Sequence, residues 1–182
     1  MTWAALVSAA VGAALALSGS LLVEVRRDRR QAFRERQASR RQASVDFVLA
    51  LGGALNALRD AARSGADPQT LARDTTSAVG DSGLYAAREH ILMSGTPALV
   101  TAAEVAFHAL IDVRNAVRSG AALTSEAYHT AYHRHSETMW QFRLAVRADL
   151  GERGLTPSVV QQRDWSDRDR CRSCDEPAPA SS

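Results

Sequence analysis

The sequence predicts an all-α protein: an N-terminal transmembrane helix continuing into an antiparallel four-helix bundle, followed by a disordered C-terminal tail. Three observations predict it. Trp3 to Val23 carries no charged side chain and gives way abruptly to Arg26-Arg27-Asp28-Arg29-Arg30. Apolar residues then recur at three-four spacing as far as Leu150, in segments separated by short Gly, Ser and Pro turns. From Leu155 the chain becomes polar and ends Asp175-Glu176-Pro177-Ala178-Pro179-Ala180-Ser181-Ser182, a composition too poor in apolar side chains to order itself. The layout is an anchor (1–25), an Arg-rich juxtamembrane helix (26–41), the bundle (42–151) and the tail (152–182).

The uncharged run holds 21 residues. A helix of that length rises roughly 31 Å, close to the hydrocarbon thickness of a bilayer. Its hydrophobicity comes from Leu6, Val7, Val11, Leu15, Leu17, Leu21, Leu22 and Val23. These favour insertion by roughly 2 to 5 kcal/mol, from which the Gly and Ser residues subtract. A cleaved signal peptide processed after Ala14-Leu15-Ala16 is the alternative. It would make the chain a secreted helical protein, with Cys171 and Cys174 oxidised. Against it, Met1-Thr2 has no positive charge, and the apolar run continues past the cleavage point. Ala4, Ser8, Gly12, Ala16 and Ser20 form a small-residue stripe suited to helix association in the membrane.

Positive charge after the span expects the N-terminus outside and the rest of the chain cytoplasmic, at the inner membrane. Residues 26–41 hold eight Arg against Asp28 and Glu35, whereas the whole chain is only +2. Arg26, Arg27, Arg29 and Arg30 lie close enough to the leaflet to meet anionic headgroups, at about 1 kcal/mol per charge. The lipid bilayer is thus one expected partner. Nucleic acid is not, since only Phe33 interrupts the basic run and the total charge is near neutral.

Arg26 to Arg63 contains no Pro and reads as one helix, with an apolar seam at Val48, Leu51, Leu55, Leu58 and Ala62. Gly52-Gly53 costs it about 1 kcal/mol per glycine, tolerable where close packing needs a small residue. Ser64-Gly65-Ala66 ends this helix, and Asp67-Pro68 opens a second as N-cap and first-turn proline. It runs through Leu71, Thr75, Ala78 and Val79. Gly80-Asp81-Ser82-Gly83 breaks the helix before it resumes over Leu84 to Met93; the tetrad's likeness to a serine-protease loop lacks the β-rich scaffold and partnered His and Asp of that chemistry. Thr96-Pro97 opens the third helix, with Val100, Ala103, Phe107, Leu110 and Val117 inward, supplemented by Ile111 and Val113. The fourth begins after Thr124 or Ser125 and reaches Leu150, burying Tyr128, Tyr132, His135, Met139, Phe142 and Val146. Short turns make neighbouring helices antiparallel.

The fourth helix also places Glu126, His129, His133 and Glu137 on its other side. There the first expectation is a solvated face, and the alternative is a two-histidine metal half-site completed by the carboxylates. Trp140 and Leu144 extend that side as a candidate interface. His135, on the core face, reads as a satisfied buried histidine. In the tail, Cys171-x-x-Cys174 has the spacing of half a zinc site or of a redox pair; two chains pooling their pairs would complete a four-cysteine zinc site.

An Ala-rich span, an Arg-dense linker, the Val/Leu-rich helix from Val45 to Leu58 and the closing string Gln141 to Gly151 resemble small, uncharacterised single-pass bacterial membrane proteins with a cytosolic helical domain. That resemblance covers residues 3 to 151 and implies no activity. No nucleophile with its base, phosphate loop or complete metal shell is legible, so the expected role is a non-enzymatic interaction or scaffold protein with a protein partner or a second copy of itself. A membrane-tethered metal or pH sensor, using His129 and His133 or the Cys171/Cys174 tail and possible zinc, is the alternative.

Overall fold

The computed structural model describes residues 3–171 and Cys174, with the backbone alone described over 4–23 and at Val25. Every regular element among the described residues is helical: α1 (Trp3–Arg63), α2 (Pro68–Gly80), α3 (Leu84–Ser94), α4 (Pro97–Arg118), α5 (Glu126–Asp149) and two 3-10 turns, Pro157–Val160 and Arg168–Arg170. The chain divides into two units, Met1–Ser39 and Arg40–Ser182.

In the first unit, Arg26, Arg27, Arg29 and Arg30 are all exposed. The expected span and its small-residue stripe fall on side chains outside the described residues. Among the described residues, no helix is long and apolar enough to cross a membrane.

The second unit is an antiparallel bundle. Arg40 meets Asp149, Phe47 meets Phe142 and Arg59 meets Tyr128, so that α1 and α5 run in opposite directions. Tyr85–Phe107 and Arg88–Glu104 set α3 against α4 in the same way. The four expected helices become five, because the break at Gly80-Asp81-Ser82-Gly83 separates α2 from α3. Gly83 has φ +74°, in the left-handed region that glycine enters without steric cost. The Asp67 carboxylate accepts from the N–H groups of Gln69 and Thr70, and the Ser125 hydroxyl accepts from the N–H of Tyr128; both satisfy orphan donors at helix starts.

α2 buries Leu71, Thr75, Ala78 and Val79. On α1 the expected seam is buried at Leu51 and Leu58, and at its other positions the buried residue lies about one place away. Phe47, Leu51, Ala54 and Leu58 are fully excluded from solvent, with Ala43, Ala50 and Ala61 beside them, whereas Val48, Leu55 and Ala62 are partly buried. Alanines mark close helix approach, which hydrophobicity alone does not reveal. The Gly52-Gly53 pair does not serve that approach, since a Cβ at either position would meet nothing within 4 Å.

The expectation of a disordered tail from 152 is corrected over its described part. Residues 157–171 form a strap, with its two 3-10 turns, that lies along α5. The Tyr132 hydroxyl donates to Asp167 at 3.1 Å, and Trp140 stacks on Trp165 with ring centroids 4.6 Å apart.

Candidate metal centre

α5 presents two histidines one helical turn apart, and the strap brings two cysteines to them. The rings of His129 and His133 stack at 5.8 Å, as the i, i+4 spacing of a helix dictates. Cys171 follows the second 3-10 turn, and the Cys174 N–H donates to the Cys171 carbonyl at 3.0 Å, which holds the two cysteines together. His129 Nδ1 lies 3.3 Å from Cys171 Sγ and His133 Nε2 lies 3.2 Å from Cys174 Sγ. One ligand atom from each of the four residues lies within 4.8 Å of the other three. A tetrahedral zinc with bonds of about 2.3 Å to sulfur and 2.0–2.1 Å to nitrogen places its ligands roughly 3.3–3.8 Å apart. The two sulfur–nitrogen pairs at 3.2 and 3.3 Å have about that spacing and the other pairs lie within 4.8 Å, close enough to hold a metal ion.

Surrounding contacts set the donor atoms. The carbonyl of Ser166 only accepts, so the 2.7 Å contact with His133 Nδ1 makes that nitrogen the N–H donor and leaves the Nε2 lone pair facing Cys174. His133 is buried, at 1% exposure, and desolvation lowers its pKa, aided by Arg168 and His129 and opposed by the Ser166 carbonyl. A lowered pKa keeps the imidazole neutral, the form that binds metal. The Cys174 thiol shifts the other way, pushed up by desolvation first and then by the Cys171 thiol beside it. A bound cation would reverse that shift by stabilising both thiolates.

Ser166 is itself held. The carboxylate of Asp164 accepts from its N–H and its hydroxyl, and these bonds, the hydroxyl first, lower the Asp164 pKa. Asp167 accepts from Gln162 as well as Tyr132, and it sits at φ 62°, where a short polar side chain is better tolerated than a branched one. Arg59 joins α1 to this face, donating to the Tyr128 hydroxyl and lying over the Tyr132 ring.

The four residues singled out as metal candidates are therefore brought together, though in an arrangement other than either one expected. His133 is buried instead of solvated, and Glu126 and Glu137 lie outside the cluster. The second half of the ligand set is the chain's own cysteine pair, so no second chain is needed to complete it. Trp140 is partly exposed and stacks on Trp165. His135 is buried as expected and stands outside the cluster, but it is not fully satisfied, because its Nδ1 has no partner among the described residues; desolvation lowers its pKa to about 4, partly offset by the Ala106 carbonyl. Ser166, Asp167 and Trp165 escaped sequence reasoning altogether. The available signal was the coexistence of H-x-x-x-H and C-x-x-C in one chain, two complementary halves of a zinc ligand set with two thiolates and two imidazoles.

No family model, curated protein or solved structure matches the chain.

Proposed function

We propose that this chain is a zinc-binding helical protein held at a membrane, in which a zinc bound by two cysteines and two histidines clasps the C-terminal strap to the bundle. The observation that carries the reading is the convergence of His129, His133, Cys171 and Cys174 within 4.8 Å. Two thiolates and two imidazoles within 4.8 Å of one another favour zinc over the harder cations that prefer oxygen. Four protein ligands fill a tetrahedral shell and leave no position for a substrate, so the role of the metal is structural and that of the protein is binding. This favours the metal-binding alternative over a plain scaffold.

The membrane location rests on the uncharged run from Trp3 to Val23 and the arginines that follow it, a charge order that favours a cytoplasmic bundle. A reporter active only in the cytoplasm, fused after Ser182, is expected to be active in the membrane fraction; a silent reporter with a shortened soluble product would mean export.

For the metal, purified full-length protein is expected to hold one zinc per chain by elemental analysis. The double variants H129A/H133A and C171S/C174S should each lose it. Substoichiometric zinc in the parent chain, or full retention in either double variant, would overturn the assignment.

A further inference from the structure

The two halves of the ligand set stand on different kinds of structure. His129 and His133 belong to α5, which is packed into the bundle. The buried apolar core runs from Ala43 to Phe142 and takes no side chain from the strap. The strap is held by polar contacts, by the stack of Trp140 on Trp165 and by the sulfur–imidazole pairs. A metal here therefore fastens a strap to a bundle that already has its own core. The sulfurs are accessible: Cys174 is exposed, and Cys171, like His129, is partly exposed. The Cys174 N–H donates to the Cys171 carbonyl, and the Sγ atoms lie within 4.8 Å of each other. Side-chain rotation toward the ~2.05 Å of a disulfide needs no movement of α5.

We propose that Cys171 and Cys174 are an oxidation site: a hydroperoxide converts the zinc-bound dithiolate to a disulfide, expels the metal and frees the strap from α5 while the helices stay folded. This rests on the zinc reading above. The Cys174 thiolate, the more exposed, attacks a peroxide oxygen; the O–O bond breaks, and the departing alkoxide takes a proton to become an alcohol, or water where the oxidant is hydrogen peroxide. The sulfenic acid formed is then attacked by the Cys171 thiolate, the S–S bond forms, and hydroxide leaves as water after taking a second proton. Two thiolates, one hydroperoxide and two protons give one disulfide, one alcohol and one water; the sulfur pair loses two electrons and the peroxide gains them. A neutral disulfide no longer supplies thiolate ligands, and His129 with His133 is half a site, so zinc departs. Release uncovers Trp140 and the Tyr132 hydroxyl, giving α5 an aromatic surface that depends on redox state.

The test uses reduced, zinc-loaded full-length protein titrated with hydrogen peroxide. A chromogenic chelator reads zinc release, thiol titration reads disulfide formation, and hydrogen exchange reads the strap and helices separately. One zinc released and two thiols lost per chain are expected. Amide protection over 162–171 should fall at least ~10-fold while protection in α4 and α5 holds, and a thiol reductant with added zinc should reverse all three changes. C174S should lack the two-thiol loss at the same peroxide dose. Thiols that survive excess peroxide, a strap that stays protected after the disulfide forms, or loss of α4 and α5 protection along with the strap would each overturn this inference and leave the zinc assignment standing. A parent chain that takes up no zinc would overturn both.

Discussion

Phe47 and Phe142 meet edge to face at 5.1 Å, both fully excluded from solvent, in the centre of the bundle. Trp140 and Trp165 stack at 4.6 Å between α5 and the strap, and both keep part of their surface in water. The first pair belongs to a core of interlocked apolar side chains, where each group is supported by many others. The second is the only aromatic stack joining strap to bundle among the described residues, and the remaining ties there are polar or involve the sulfur–imidazole cluster. The bundle is thus held by a shared apolar core, and the strap by a few separate ties that include the sulfur–imidazole cluster. A shared core resists any single chemical event, and a strap with few ties is more sensitive to one.

Truncating the core should break the comparison most severely. F142A removes the ring from its partner Phe47 and is expected to cost about 3–5 kcal/mol, read as a lower urea midpoint with or without zinc. C174S acts on the other region. It should weaken zinc binding on the order of 100-fold or more, as loss of a direct ligand must exceed the roughly 10- to 100-fold cost of losing an outer-shell partner. The unfolding free energy of the metal-free bundle should stay within about 0.5 kcal/mol of the parent. A large loss of bundle stability in metal-free C174S would show that strap and core are not separable.

W165A tests how much of the strap is held without metal. Losing the stack should cost about 1 kcal/mol, equivalent to roughly a fivefold weaker zinc affinity in a chelator competition, with the helices unchanged. The smallest effect is expected at Glu104, which accepts two 2.7 Å bonds from Arg88 on the bundle surface. Those bonds, foremost, hold its carboxyl below the usual range. A depressed carboxylate contributes stability present above its unfolded pKa and lost as pH falls through the folded one. E104Q should therefore cost about 0.5–1 kcal/mol at neutral pH after solvent screening, and the gap from the parent should close as the medium is acidified below pH ~4. Urea unfolding of both chains at about pH 7 and about pH 3 checks it.

The elements of the bundle were legible because local signals mark them. Asp67-Pro68, Thr96-Pro97 and Ser125 stand at helix starts. The rotation of the α1 face was not legible. Ala54 and Ala61 carry little hydrophobic signal, yet they are buried because small side chains allow helices to approach. Each half of the metal site was also visible, as His129 with His133 and as Cys171 with Cys174. Their union was hidden by the turns at Gln161 and Asp167, two non-glycine residues at positive φ that no composition rule anticipates.

What the sequence by itself determined is the helical class, the order and ends of the segments, the uncharged run with its arginine flank, and the identity of the four candidate ligands, since these depend on residue types within a few positions of one another. What only the tertiary structure decided is that the tail turns back, that His133 is buried and directs Nε2 at sulfur, and that a chain-internal cluster of two cysteines and two histidines replaces two separate half-sites. Those outcomes depend on contacts between residues some forty positions apart, His129 with Cys171 and His133 with Cys174. Periodicity constrains neighbours on one helix; the path of the connecting chain, set by packing and hydrogen bonding, determines which distant residues meet.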